Sequence, residues 1–326
     1  MKESFIKVGI IGAAGYTAGE LLRLLIHHQN VGDIQCQSNS QAGRPVAAVH
    51  TDLVGDLSID FVKSFDLASV DVLFLCKGHG ESRKFLEGNN VPPSVKIIDL
   101  SHDYRLASDH NPFVYGLPEM NKERIKQSDK IANPGCFATA IQLGLLPAAA
   151  HDLIKGAVHT SGITGSTGAG QSLSATSHFS WRNNNISVYK AFVHQHLSEV
   201  GESLSHMAAG QRYRLHFIPY RGNFTRGIII TSYFVTNASL EEATGAYQSF
   251  YEVSPFTHLV NENPNVKQVV NTNKALVYLE KHEDTLMVIS VIDNLLKGAS
   301  GQALQNMNLL FGLDETAGLQ LKSSAF

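Results

Sequence analysis

Short apolar runs alternate with helix-period stretches over the first part of the chain. KVGIIG (7–12) reads as a strand, and TAGELLRLLIHH (17–28) carries apolar residues at helical spacing. DIQCQSN (33–39) is a second strand. DVLFLC (71–76) is unbroken in its apolar character, as a central parallel strand covered on both faces requires, and KIIDLS (96–101) is another such strand. This β-α-β rhythm predicts an α/β, Rossmann-type doubly wound parallel sheet. After about residue 138 the pattern changes. RYRLHFIPY (212–220) and GIIITSYFV (227–235) predict longer strands of a mixed or antiparallel sheet. SLEEATGAYQSFYEV (239–253) predicts a helix with a Ser cap and acids in its first turn. NKALVYLEKHEDTLMVISVIDN (273–294) predicts two strands joined at His-Glu-Asp, and KGASGQALQNMNLLFGL (297–313) a closing helix. The reading is a first domain over 1–137 with 298–326, and an α+β domain over 138–297 that carries the catalysis and dimerisation. No repeat, low-complexity tract or linker interrupts the chain.

Composition narrows the class. The 326 residues are 43% hydrophobic and 17% charged, enough to bury two cores. A net charge of -3 points to neither nucleic acid nor membrane. No apolar run approaches the ~18–20 residues of a spanning helix. MKESFIKVGIIG lacks the apolar stretch and cleavage site of a signal peptide. Cys36, Cys76 and Cys136 are odd in number and widely spaced, against a disulfide framework or a zinc site. A reducing, cytoplasmic setting is expected.

GIIGAAGYTAGE supplies the first candidate chemistry. Glycines between a strand and a helix let the backbone approach a pyrophosphate, and the helix N-terminus offers N–H groups and a positive dipole end. Gly9, Gly12, Ala13, Ala14, Gly15, Tyr16 and Thr17 are the candidate cofactor residues there. The spacing is G-x-x-G-x-x-G, and glycines that serve only helix–strand packing are the competing reading. The second strand runs into QCQSNSQAGRP, with no Asp or Glu to hold a ribose 2′-hydroxyl. Ser38, Asn39 and Ser40, followed by Arg44, suit a 2′-phosphate, so NADP is the expected cofactor; Arg44 as a plain loop cation is the alternative.

IANPGCFATA (131–140) places Cys136 after a Pro-Gly turn, where a helix begins. A thiol there has its thiolate stabilised by the helix dipole, and its pKa falls. Cys36 and Cys76, inside apolar strands, read as buried hydrophobes. A cysteine nucleophile needs a partner to move protons. HQHLSEV offers His194 and His196; a metal pair would lack a third ligand nearby, so no metal site is assigned.

With these motifs assembled, the sequence resembles the N-acetyl-gamma-glutamyl-phosphate reductases, relatives of aspartate-semialdehyde dehydrogenase. The resemblance rests on GIIGAAGYTAGELLRLL, IIDLSHDYRL, ANPGCFAT, SGITGSTGAG, HQHLSEV, FTRGI and VIDNLLKGASGQALQNMNL. It implies that Cys136 attacks an acyl phosphate, phosphate leaves a thioester, and NADPH reduces that thioester to an aldehyde. It implies that either His194 or His196 is general base and acid, with His194 favoured. Asn133 and Arg105 match positions used for the phosphate, although Arg105 could instead pair with Asp103 or Asp99. Ser161 and Gly162 match the stretch that approaches the nicotinamide, and Arg226 a residue for a substrate carboxylate, or a strand-end cation. Asn294, on the cofactor side, and Lys297 match residues that return the last helix to the cofactor domain. The resemblance also implies a homo-oligomer, a dimer or tetramer.

Two segments depart from the pattern. SGITGSTGAGQ is longer than usual and ends in Gln171, and IPYRGNF replaces a run like His-Leu-Val-Pro-Met. Both leave the acyl-phosphate chemistry intact and bear on the N-acyl group, acetyl being expected and succinyl the alternative. The rival readings are an aspartate-semialdehyde dehydrogenase-like reductase and a non-catalytic NADP-binding sensor.

Overall fold

The computed structural model describes residues 5–324, so the extreme ends of the first expected domain, 1–4 and 325–326, lie outside it. Among the described residues two compact units emerge: those up to 134 with 299–320, and 135–298 with those from 321 onward.

The first unit is built from β1 (Ile6–Ile11), α1 (Tyr16–Leu25), β2 (Val31–Gln37), β3 (Val72–Leu75), α2 (Glu81–Gly88), β4 (Lys96–Asp99), β5 (Val114–Tyr115), α3 (Pro118–Lys126) and β6 (Lys130–Ala132). Its six strands run in the order β2-β1-β3-β4-β6-β5, and every pairing is parallel. β3 is buried along its whole length, which explains its unbroken apolar sequence. β1 lies between β2 and β3, so the chain crosses first to one side of β1 and then to the other. The carboxyl end of β1 is therefore the switch point where open α/β sheets hold ligands.

The second unit opens with α4 (Cys136–Ala150) and continues through β7 (Lys155–Thr164), α5 (Phe179–Arg182), β8 (Ser187–Val188), α6 (His196–Met207), β9 (Leu215–Arg221), β10 (Ile228–Val235), α7 (Leu240–Tyr251), β11 (Thr257–Leu259), β12 (Ala275–His282) and β13 (Thr285–Ile292). A five-residue π-helical turn, Leu296–Ser300, leads into α8 (Gly301–Leu310), which belongs to the first unit. The seven strands run β11-β12-β13-β10-β7-β9-β8 in a mixed sheet. The expected fold class is the observed one.

α4 is apolar all round and buried all round, as its sequence demands. It tolerates Pro147 in its last turns for a specific reason. Proline has no N–H to offer the carbonyl four residues earlier, which is Leu143. The Tyr251 hydroxyl, from α7, donates to that carbonyl at 2.5 Å, and Tyr247 donates to the Gly144 carbonyl at 2.6 Å. α7 itself starts at the Ser cap read from sequence, with Ser239 and Glu242 closing a reciprocal capping box.

Candidate active site

Cys136 is the first residue of α4. Gly135 precedes it in extended conformation with no side-chain cap, and the first helical bond runs from Thr139 N–H to the Gly135 carbonyl. The Phe137 and Ala138 amides therefore have no intrahelical acceptor. They and the helix dipole favour negative charge at the Cys136 position. Gly298 closes against the cysteine: a Cβ built there would lie 2.8 Å from Cys136 Cβ and 3.1 Å from its Cα.

Both histidines of HQHLSEV are buried beside this helix start, His194 ahead of α6 and His196 as its first residue. The His194 ring meets Phe137, Tyr189 and Phe217 edge-on at 5.6, 5.8 and 5.5 Å between centroids, and His196 at 4.7 Å. Burial, with Lys190 adding to it, pulls the His194 pKa down to about 4. His194 Nδ1 accepts the His196 backbone N–H at 3.3 Å, so the proton of its neutral ring sits on Nε2. His196 is arranged differently. Its Nε2 lies 3.8 Å from Glu199 Oε1, while Glu199 Oε2 accepts the Gly135 N–H at 3.2 Å. One buried carboxylate thus ties the second histidine to the residue before the cysteine. Glu199 was missed in the sequence reading, although it stands three residues after His196, one helical turn along the same face.

Burial pushes the thiols of Cys36 and Cys76 up to about 12. Neither can supply a thiolate near neutral pH, in keeping with a packing role.

In the first unit the glycine turn divides. Gly12 has φ +80°, and a Cβ there would lie 2.7 Å from the Cys76 carbonyl oxygen at the end of β3, so only glycine fits. Gly12 and Ala13 donate to the Gln37 carbonyl at 3.1 and 2.8 Å, pinning the turn to the end of β2. Gly15 starts α1 without a side-chain cap, leaving the first-turn amides from Tyr16 and Thr17 onward to a ligand. Ala14 bridges the two glycines. This cradle suits a dinucleotide pyrophosphate. Gly9 lies inside β1, where a Cβ would lie 2.7 Å from the Phe65 ring, so packing accounts for a glycine at that position. The loop after β2 places Ser38 Oγ 3.5 Å from Ser40 Oγ, has Asn39 accepting from Gln37 at 2.7 Å, and leaves Arg44 exposed and bonded to Gln41 at 2.6 Å.

The other residues read from sequence scatter. Arg105 and Asn133 do meet: Arg105 Nε donates to the Asn133 carbonyl at 2.9 Å, and Arg105 Nη2 to the Leu100 carbonyl at 3.1 Å. Asn133 Nδ2 donates to the Ala299 carbonyl, and its Oδ1 accepts from Asn306, both at 3.0 Å. Ser161 and Gly162 lie mid-strand in β7. Ser161 is exposed, on the face away from Gly162, and a Cβ at Gly162 would strike Ile230 and Phe137 at 2.4 and 2.8 Å. Packing against those side chains accounts for a glycine at 162. Arg226 is paired with Asp293 through Nε at 3.0 Å and Nη2 at 3.2 Å. Asn294 is bonded to the Gly227 N–H at 2.7 Å and to Thr167 Oγ1 at 3.0 Å, and Lys297 is wholly buried in the π-helical turn.

Comparison with known proteins follows the same division. Residues 7–128 match the model of the semialdehyde dehydrogenase NAD-binding domain, and residues 136–294 that of the semialdehyde dehydrogenase dimerisation domain. The chain is 55% identical to an N-acetyl-gamma-glutamyl-phosphate reductase of Azobacteroides pseudotrichonymphae, and 54% identical to one of Bacteroides thetaiotaomicron. Each match covers 98% of this chain and 100% of the relative. Among solved structures it is similar in fold to aspartate semialdehyde dehydrogenase II complexed with ASA from Vibrio cholerae, with TM-score 0.72 and 18% identity over 94% of this chain and 98% of that one. A Candida albicans aspartate semialdehyde dehydrogenase with NADP matches at TM-score 0.68 and 15% identity over 94% of this chain and 99% of that one.

Proposed function

The chain belongs to the N-acetyl-gamma-glutamyl-phosphate reductase family, and from that membership we propose that it works through a thioester on Cys136, with His196 moving the proton and NADP(H) as cofactor. The activity is the reduction of an N-acyl-glutamyl 5-phosphate to the 5-semialdehyde and phosphate, in arginine biosynthesis. The observation that carries the mechanism is the Gly135–Glu199–His196 link at the start of α4.

His196, oriented by Glu199, takes the thiol proton as Sγ attacks the acyl carbon. The C–S bond forms, the bond from carbon to the phosphate oxygen breaks, and phosphate carries away that electron pair. The Phe137 and Ala138 amides are placed to stabilise the oxyanion that precedes its departure. The Gly12 turn and the first-turn amides of α1 would hold NADP(H), which would supply the hydride that takes the thioester to the aldehyde level. Collapse of the resulting hemithioacetal returns an electron pair to sulfur, and the His196 imidazolium gives its proton back to the thiolate. His194, neutral and enclosed by rings, holds His196 through its backbone bond. Ser38, Ser40 and Arg44 are the residues suited to the 2′-phosphate. An oligomer built through the second unit accords with its dimerisation-domain match. Among the described residues no helix is long and apolar enough to cross a membrane.

The test is phosphate-dependent reduction of NADP with N-acetyl-glutamate semialdehyde. Wild type turns over and Cys136→Ser does not. NADP binding without turnover of any N-acyl-glutamate semialdehyde would favour the sensor reading.

A further inference from the structure

The chain between β2 and β3 comes back onto the turn that ends β1. Its first part is tied along β2: Ser38 N–H donates to the Val62 carbonyl at 3.0 Å, and Val62 N–H to the Cys36 carbonyl at 2.9 Å. Within it, two single helical turns, Val46–Ala48 and Thr51–Leu53, flank His50. His50 is buried, with its ring tilted against Phe61 at 6.2 Å between centroids. Its Nε2 lies 2.8 Å from the Ala13 carbonyl oxygen. A carbonyl only accepts, so Nε2 carries a proton and donates it there.

α1 makes room for this ring. Gly19 lies inside α1, where glycine weakens a helix relative to alanine. A Cβ at Gly19 would lie 2.6 Å from His50 Nδ1 and 2.9 Å from Cε1, so a larger residue would displace the imidazole. The bond to Ala13 also acts on the other side of the same peptide. The Ala13–Ala14 amide is planar and trans, so its C=O and N–H point in opposite directions. With the C=O held by His50, the Ala14 N–H is turned away from that buried ring. The other amides of the turn are engaged within the chain. Gly12 and Ala13 donate to the Gln37 carbonyl at 3.1 and 2.8 Å, and Gly15 to the Gly12 carbonyl at 3.5 Å. Among the described residues nothing accepts from the Ala14 N–H, and Ala14 is only half-buried. It stands beside the uncapped first turn of α1, where donors gather for an anion.

We propose that His50 is a positioning residue for the cofactor: by holding the Ala13 carbonyl, it presents the Ala14 N–H to the pyrophosphate of NADP(H). The proposal rests on the NADP(H) reading of the Gly12 turn and names the side chain that sets that turn in advance. An amide already turned toward the anion need not be ordered on binding, and that saving appears as affinity. His50 itself touches neither the cofactor nor a reacting atom. Gly19 is part of the same device, because it leaves the space the imidazole occupies.

The experiment is isothermal titration calorimetry of the full chain with NADP+ and, by displacement, with 2′-AMP, which carries the 2′-phosphate but no pyrophosphate. His50→Leu removes the donor, His50→Gln keeps an N–H at a similar reach, and Gly19→Ala displaces the ring without changing it. His50→Leu and Gly19→Ala each raise the Kd for NADP+ by about 10-fold, the order of one charge-assisted hydrogen bond, and leave that for 2′-AMP within about twofold. In turnover the loss falls on KM for NADPH, with kcat at saturation close to wild type. His50→Gln recovers most of the NADP+ affinity. Gly19→Ala, which favours the helix, answers the question if His50→Leu does not fold. An NADP+ affinity unchanged in both variants, equal losses for NADP+ and 2′-AMP, or a His50→Gln no better than His50→Leu overturns the proposal, the second by making His50 a packing residue alone. A wild type that binds neither NADP+ nor NADPH strikes the cofactor reading itself, before any variant is compared.

Discussion

Gly298→Ala tests whether the position of Cys136 is held by the π-helical turn. The added Cβ would lie 2.8 Å from Cys136 Cβ, 3.1 Å from its Cα and 3.3 Å from the Asp293 carbonyl oxygen. Carbon atoms pack at about 3.5–4.0 Å, so roughly 0.7 Å or more must be opened. The turn side resists movement. Gly298 N–H donates to the Asp293 carbonyl at 2.9 Å, and the Asp293 carboxylate is held by Arg226 and by the Asn271, Leu295 and Leu296 amides. The displacement therefore falls on the cysteine. Overpacking of this kind costs about 1–3 kcal/mol of stability, a Tm drop of a few degrees. A nucleophile moved by about 1 Å loses on the order of 100-fold in rate. The expected result is a fall of about 100-fold in kcat/KM, with a matching fall in the rate of Cys136 alkylation, in a protein that remains folded at assay temperature. Gly201→Ala is the comparison. That glycine lies in α6, and a Cβ added there would meet nothing within 4 Å, so alanine stabilises by up to about 1 kcal/mol and leaves the rate alone. Gly298→Ala with wild-type kcat/KM and alkylation rate would refute the reasoning, as would a rate loss fully explained by the unfolded fraction.

Three further outcomes are expected. Iodoacetamide near neutral pH labels Cys136 first, with substrate protecting it, because the other two thiols are held protonated up to about 12; peptide mass spectrometry showing Cys36 or Cys76 labelled first contradicts this. His194 takes up its proton near 6.5 in the unfolded chain but only at about 4 in the fold, so the unfolded state binds more protons between those values and stability falls as pH drops through that window. Tm measured from pH 7 to pH 4 should fall less steeply in His194→Gln, with a residual slope from His28 and His258, which burial also holds below the usual imidazole range; an unchanged slope counts against the buried neutral ring. Tyr251→Phe leaves the Leu143 carbonyl, opposite Pro147, without its donor and costs about 1–3 kcal/mol by denaturant unfolding, whereas a cost near zero would show that the carbonyl finds another partner.

What could be read from the chain alone was whatever is decided locally. Unbroken apolar character placed β3 in the middle of a covered sheet, and a Ser followed three residues later by Glu placed the start of α7. Pro-Gly before Cys136 placed the thiol at a helix start. Where a role depends on what the fold brings from a distance, the same residue types were ambiguous. Three evenly spaced glycines looked alike, yet Gly9 answers to the Phe65 ring and Gly12 to the Cys76 carbonyl, neither of which spacing can reveal. Sequence favoured His194 over His196 as the acid–base residue, with nothing local to decide between them. What separates them is a backbone N–H on one ring and a buried carboxylate beside the other. Arg226 and Arg221 show the same limit most sharply. Both are arginines around a strand end, and sequence favoured Arg226 for a carboxylate. Asp293, 67 residues away along the chain, pairs with that one, while Arg221 lies over the Tyr189 ring and bonds its phenol. Charge at a site is a sum over its neighbours, so which cation remains available to a ligand is a property of the packed chain and of no single motif.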